Sequence, residues 1–483
     1  MKLTELIEGL QFDSFNMRGD EKEISHISFD SRCVEKGTLF VAQRGVHVDG
    51  HRFIEQAVSL GASVVVCEAL PDPIDENVTY IRVADSSVAL AAIASNFYGN
   101  PSRKIKLIGV TGTNGKTTTV TLLHRMFRMA GYHAGLISTI VNKIDEREIS
   151  TTHTTPDALE LNGLLSQMVA AGCGYCFMEV SSHSVVQNRI AGLTYSGGVF
   201  SNITHDHLDF HKTMKAYIKA KKGFFDMLPR EAFALVNKDD RNGMVMVQNT
   251  RANVSTYSLH GCADFNCKLI ENTFQGMQLE INGQEVWVKL VGRFNAYNAT
   301  AIYAVAVLCG MDKQVAMQLL SSLDAAEGRF EYVSGRGVVG IVDYAHTPDA
   351  LDNVLDTINA IRNHRGRLVT VVGCGGDRDR TKRPEMAKIG ALKSDILILT
   401  SDNPRTENPE TILDDMFAGL DAGEMKQCIR ITDRRQAIKT ACMMAKEGDI
   451  ILVAGKGHEK YQEINGIRSH FDDKEELKKC LIG

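Results

Sequence analysis

The chain has 483 residues, 44% of them hydrophobic and 23% charged, with a formal net charge of −5. This length predicts about three domains of ~100–200 residues each, and the acidic balance offers no footing for non-specific nucleic-acid binding. Apolar runs such as that at 62–67 fall far short of the ~20 residues of a membrane helix. The opening M-K-L-T-E-L-I-E-G-L lacks a signal-peptide core, so a cytoplasmic protein without membrane insertion is expected.

Residues 1–99 read as a small N-terminal α/β domain, with β-like runs at 24–29, 38–42, 62–66 and 79–83 and a helical stretch at 53–60. Asn100-Pro101-Ser102-Arg103 reads as a linker. From 100 to 326, β/α alternation predicts a central parallel-sheet ATPase domain with a phosphate loop. A second break at Glu327–Glu331 opens a C-terminal Rossmann-like α/β domain, 327–483, with strands at 338–342, 368–372, 396–400 and 449–453. In such folds ligands collect at the carboxyl ends of the strands. The eleven cysteines are odd in number and scattered, and Cys173-Gly-Tyr-Cys176 has no second pair at zinc spacing. All are read as reduced and structural.

The strand at 106–110 runs into T-G-T-N-G-K-T-T-T, 111–119, and then an amphipathic helix. Glycines let successive N–H groups converge on one anion at a helix N-terminus. Gly112, Thr113, Asn114, Gly115, Lys116, Thr117 and Thr118 are therefore expected to cradle the phosphates of ATP or GTP. Lys116 would reach the outer phosphates, and the Thr117 hydroxyl would ligate Mg²⁺. Val110 stands where the strict motif has its first Gly. The next strand ends in Glu179, placed to hold Mg²⁺ through hard oxygen ligands. After a further strand, Thr204-His-Asp-His-Leu-Asp-Phe-His211 is rich in His and Asp. It suggests zinc when taken alone, but no Cys and no H-E-x-x-H accompany it. His207 is read as a ligand beside Mg²⁺, and His205 and His211 as hydrogen-bonding residues.

G-T-N-G-K-T-T, M-E-V-S-S-H, N-I-T-H-D-H-L-D-F-H, G-R-F-N-A-Y-N and D-Y-A-H-T-P follow one another along the chain. Together they resemble the Mur ligases, ATP-dependent amino-acid-adding enzymes of peptidoglycan precursor synthesis. F-D-S-R at 29–32, S-S-H-x-x-x-Q-x-R at 181–189 and D-N-P-R at 402–405 resemble the branch that adds meso-2,6-diaminopimelate to UDP-N-acetylmuramoyl-L-alanyl-D-glutamate. The resemblance implies ATP and Mg²⁺, an acyl-phosphate intermediate, small-molecule substrates, no nucleic acid, and a monomer. Lys116, Lys221 and His207 are the implied catalytic residues. Lys221, in Y-I-K-A-K-K-G-F-F, matches the position the family carbamylates (N6-carboxylysine) to bind metal; an exposed basic helix face is the plain alternative.

The resemblance also puts Asn295, Asn298, Arg329, Asp343, His346 and Lys382 on ATP. It puts Phe29, Ser31, His47, Val48, Asp49, His153, Thr154, Thr155, Ser181, Gln187 and Arg189 on the UDP substrate. Read locally, T-S-D-N-P-R-T is a strand-to-helix turn. Within the resemblance, Arg405 would grip the distal carboxylate of diaminopimelate through a two-bonded fork. Arg378, Asp402, Asn403, Pro404, Gly455 and Glu459 would complete that pocket. A lysine-adding or folylpolyglutamate-synthase-like ligase and, further off, a P-loop regulatory ATPase are the alternatives. Lysine lacks the carboxylate that Arg405 requires.

Overall fold

The structure is a computed structural model describing residues 1–16, 22–45, 48–151, 153–363 and 365–482; His47 lies outside the described residues. Three sheets follow one another along the chain, as the alternation of apolar runs predicts. The first has five strands, four of them parallel: Ile27–Ser28, Leu39–Val41, Val64–Cys67 and Thr79–Arg82, with Asp13–Phe15 antiparallel at one edge. The run expected at 24–29 narrows to two residues, and the linker at 101–103 is a 3₁₀ turn whose Pro101 and Ser102 are buried.

The central sheet is built around strand Lys106–Thr111, with Tyr175–Glu179 on one side and Gly197–Phe200 on the other, all parallel. The interiors of these strands are apolar because helices cover both faces. The register pairs Glu179 with Val110 and Phe200 with Thr111. The residues after three neighbouring strands (Gly112, Val180 and Ser201) therefore emerge at one edge. The β/α alternation expected up to 326 does not hold throughout. Phe265–Thr273, Gly276–Ile281 and Gln284–Val288 form an antiparallel extension of the sheet. Its first two strands alternate buried and exposed residues only in part, and the turns carry the signal: Gly276 and Gly283 have positive φ.

The third sheet places Val338–Asp343, Ile450–Ala454, Leu368–Val372, Ile396–Leu399 and Cys428–Arg430 side by side and parallel, with Glu331–Gly335 antiparallel at the edge. A two-stranded hairpin, Tyr461–Ile464 and Ile467–His470, follows it. The side chains of Arg434 and Asp473 are both 0% exposed and form a two-bonded ion pair, each bond 2.8 Å, tying helix Arg434–Met444 to the last helix, Asp473–Leu481. Removing one partner strands a buried charge, so Asp473→Asn should lower unfolding stability by about 3–5 kcal/mol in denaturant titration, and Arg434→Met/Asp473→Leu by much less.

Candidate functional site

The loop after Lys106–Thr111 is fixed from outside. Thr113 N–H donates to the Asn202 carbonyl (2.8 Å), Asn114 N–H donates to Asn202 Oδ1 (2.9 Å), and Ser201 Oγ–H donates to the Asn114 carbonyl (2.6 Å). Gly112 has φ +150°, and a Cβ there would lie 1.9 Å from Ser201 Oγ, so only glycine fits. Gly115 has φ +88° and would put a Cβ 2.5 Å from Asn298 Oδ1. Asn298 thus packs against the phosphate loop. Its amide donates to Asn295 Oδ1 (2.9 Å), and Asn295 donates to the Val291 carbonyl (2.8 Å).

Helix Lys116–Met129 starts directly behind the loop and aims its N-terminal N–H groups there. Thr117 and Thr118 are buried in its first turn. Lys116 Nζ donates to the carbonyls of Gly112 (2.9 Å) and Thr113 (2.8 Å). Lys221 Nζ, on helix Met214–Asp226, donates to the same Gly112 oxygen at 2.7 Å and lies 4.7 Å from the centre of the Tyr217 ring. Lys221 is 1% exposed, which excludes the surface-face alternative for this residue. Burial, and then the charge of Lys116, hold its amine well below the ordinary lysine value. No carboxylate pairs with it among the described residues.

Glu179 is also buried. Its Oε1 accepts the Thr139 N–H (2.8 Å), while Oε2 accepts nothing. A carboxylate oxygen left without a donor in the interior fits a hard divalent cation. Among the described residues no three His, Cys, Asp or Glu side chains converge to hold a metal. His207 has φ +53°, and its Nε2 is 3.3 Å from Asp206 Oδ2. Burial pushes its ring down to about 4 against the pull of Asp206, so the imidazole is neutral at pH 7 with a lone pair to offer. His211 Nε2 meets Ser182 Oγ at 2.9 Å, a hydrogen-bonding role.

The third sheet closes the cleft. Arg329 Nη2 donates to Thr117 Oγ1 (3.2 Å), and its guanidinium lies 4.5 Å from the Tyr344 ring. Asn114 Nδ2 donates to Asp349 Oδ2 (2.7 Å), and Lys382 Nζ to the His346 carbonyl (2.9 Å). Asp343 accepts the Phe330 N–H (2.7 Å), and burial pushes its carboxyl up to about 6. Asp206, missed by sequence reasoning although it lies inside the H-D-H run, stands where the sheets meet. Burial alone would raise it, but the charges of His207, His346, Lys382 and Lys116 hold it below the usual carboxylate range.

Beside the loop, Thr155 Oγ1 donates to the Glu179 carbonyl (2.8 Å) and accepts the Ser181 N–H, while Arg189 Nη1 donates to the Thr155 carbonyl (2.9 Å). Thr154 accepts from Thr139 Oγ1, Ser181 caps helix Ser182–Val186, and Gln187 ends it. The His153 carbonyl accepts from Thr151. In the first sheet's loops, Ser31 Oγ donates to Gln56 (3.0 Å), Asp49 caps the turn at Gly50–Phe53, and Phe29 and Val48 are exposed.

A separate group forms at the tips of the third sheet. Arg405 has φ +53°, and its Nη1 donates to the Gly376 carbonyl (2.7 Å); no carboxylate pairs with it among the described residues. A Cβ on Gly375 would lie 2.9 Å from that nitrogen and 3.8 Å from Arg378 Cγ, so both arginines border one space. Asn403 donates to Glu459 Oε2 (2.7 Å), and Asp402 Oδ1 accepts the Asn403 N–H (2.6 Å). A Cβ on Gly455 would fall 2.7 Å from Asp402 Oδ2, and the Pro404 carbonyl abuts Gly376. Lys456, between Gly455 and Gly457 and not singled out from sequence, is fully buried here.

Three family descriptions match the chain: Mur ligase family, catalytic domain, over 23–98; Mur ligase middle domain over 110–306; and Mur ligase, glutamate ligase domain, over 328–457. The chain belongs to the Mur ligase family. It is 55% identical over its full length to a Cytophaga hutchinsonii protein named UDP-N-acetylmuramoyl-L-alanyl-D-glutamate–2,6-diaminopimelate ligase, covering 99% of that relative. It is 54% identical to the Phocaeicola vulgatus protein of the same name, over 99% of each chain. A solved structure of a ligase with that name superposes with a TM-score of 0.70 at 32% identity, covering 100% of this chain and 99% of the other.

Glu179→Gln keeps the Thr139 contact and removes the carboxylate that no donor reaches at Oε2. Mg²⁺ should raise the thermal midpoint of the unmodified protein and leave that of E179Q unmoved. Asp343 carries a separate pH signature. Its folded value of about 6 exceeds the ordinary 3.8, so its contribution to stability is full at low pH and is lost as pH rises through 6. Asp343→Asn should flatten the fall in melting temperature across that window.

Proposed function

We propose that the chain is an ATP-dependent, ADP-forming ligase that joins meso-2,6-diaminopimelate to UDP-N-acetylmuramoyl-L-alanyl-D-glutamate in peptidoglycan precursor synthesis. It would act as a cytoplasmic monomer of three domains, 1–99, 100–326 and 327–483. The observation that carries the choice of amine is Arg405, a fork with one arm on the Gly376 carbonyl and no carboxylate partner among the described residues. Asn403 and Glu459 stand beside it with acceptors for an ammonium. An amino acid with both a carboxylate and an ammonium at its far end satisfies that set. Lysine leaves the arginine uncompensated.

The phosphate loop binds the ATP tail, with the helix N-terminus and Lys116 opposing its charge. Lys116 then exchanges two carbonyl contacts for phosphate oxygens. The glutamyl carboxylate attacks the γ-phosphorus, giving an acyl phosphate and ADP. The diaminopimelate amine attacks the acyl carbon, phosphate leaves with the bonding pair, and the amine nitrogen gives up its proton. Arg329, Lys382 and Lys116 hold two anions together through the first step. Glu179, Thr117, His207 and a carbamylated Lys221 would hold Mg²⁺, which supplies further positive charge between the phosphates and the carboxylate. The buried Lys221 amine, held well below the ordinary lysine value, suits carbamylation: in its neutral form it adds to CO₂ and releases one proton, replacing an amine with no carboxylate partner by a metal-binding carboxylate. Arg189 and the Thr154–Thr155 turn would take the acidic end of the dipeptide, and Phe29, Ser31, Val48 and Asp49 the uridine. Asn295 and Asn298 would border the purine.

Phosphate release with UDP-muramoyl dipeptide plus diaminopimelate, lysine or glutamate tests the assignment. Release only with diaminopimelate supports it; release with no amine at all supports the regulatory ATPase. Arg405→Ala should lower kcat/KM for diaminopimelate about 100-fold, as expected for losing two charge-assisted hydrogen bonds. With ¹³C-bicarbonate, a carbamate resonance should appear in the unmodified protein and be absent from Lys221→Arg.

A further inference from the structure

One buried charge in the amino-acid pocket has no part in the chemistry above. Lys456 is 0% exposed. Its Nζ donates to Asn403 Oδ1 at 3.0 Å and lies 3.4 Å from Glu459 Oε2, with the Tyr461 ring centre 5.4 Å away. The same Glu459 oxygen accepts from Asn403 Nδ2 at 2.7 Å. Lys456 therefore sits among the acceptors that the preceding reading gives to the substrate's ammonium.

The hairpin Tyr461–His470 locks this arrangement. Glu463 N–H donates to Asn403 Oδ1 (3.0 Å), Gln462 Nε2 to the Asp402 carbonyl (2.7 Å), and Arg405 N–H to the Glu463 carbonyl (3.1 Å). Asn465 N–H returns a bond to the Arg405 carbonyl (2.7 Å). The loop bearing Asp402, Asn403 and Arg405 is thus held to the hairpin by backbone and amide contacts, and Lys456 fills the space between them.

We propose that Lys456 is a specificity-determining positioning residue, a built-in ammonium that sets the pocket's charge so that a zwitterionic amino-acid head is accepted and a lone cation is not. Burial first, and then the neighbouring Asp402 carboxylate, raise the proton affinity of Glu459, and Lys456 opposes that effect. With Lys456 in place, the acidic side of the pocket holds one cation already. An incoming side chain must then bring a carboxylate for Arg405 as well as an ammonium. Without Lys456 the acidic side is under-neutralised, and a simple cation such as lysine gains ground.

This inference rests on the diaminopimelate reading, and the two fail differently. If the unmodified protein couples no diaminopimelate, the reading of function falls. If it does, Lys456→Met is compared with it on diaminopimelate and on lysine. The expected result is a ratio of kcat/KM (diaminopimelate over lysine) narrowed about tenfold or more, carried by KM for the amine, with KM for ATP unchanged. Lys456→Arg, which keeps the charge, should restore part of the ratio. A folded K456M with an unchanged ratio overturns the proposal. Should K456M not accumulate as folded protein, Tyr461→Leu, which removes the ring shared by the Lys456 amine and the Arg468 guanidinium, carries the test. A several-fold narrowing supports the proposal and an unmoved ratio overturns it.

Discussion

Two lysine amines converge on one carbonyl oxygen, that of Gly112, and much of the central cleft is organised around that crowding. A carbonyl can accept from both, but it brings no negative charge to balance Lys116. The loop therefore carries positive charge that only an anion can balance, while Glu179, one strand away, holds an oxygen that no donor reaches. Excess cation on one side and an unsatisfied carboxylate on the other describe a site whose electrostatics are completed by what it binds. The surrounding fold holds this unfavourable arrangement rigid through Ser201, Asn202 and Tyr217, each bonded to the loop.

The third sheet takes part in the same balance. Arg329 occupies the Thr117 hydroxyl, the group a nucleotide-bound cation would need, and Asn114 is bonded to Asp349. On the proposed reading, binding redirects contacts that already cross between the sheets. That links substrate arrival to the relative position of the two sheets without requiring any new element to order.

The phosphate loop was legible in the sequence because backbone torsions demanded glycine at Gly112 and Gly115. Glu179 was legible because a carboxylate at the end of an apolar strand has few other reasons to be there. Arg405 was readable only through its neighbours, Asn403 and Pro404, which end a strand. What escaped was tertiary. Asp206 looked like one more acid in a His-rich run, and its importance comes from Lys382 and His346 approaching from a sheet more than a hundred residues away. Lys456 drew no reading of its own, and nothing local announces that Tyr461 and Asn403 approach it. The antiparallel strands at 265–288 were hidden because partial alternation with positive-φ turns competes poorly against the strong helical patterns on either side.

The hairpin that grips the Asp402–Arg405 loop has a consequence for how such a protein diversifies. On the proposed reading, recognition of the incoming amine is confined to one sheet's rim and one appended ribbon, while phosphoryl chemistry is spread over two sheets. Exchanging the ribbon together with the rim would transplant a preference for a different nucleophile and leave the ATP-handling apparatus as it stands. Inhibitors aimed at that rim would accordingly separate this enzyme from relatives that share only the nucleotide machinery.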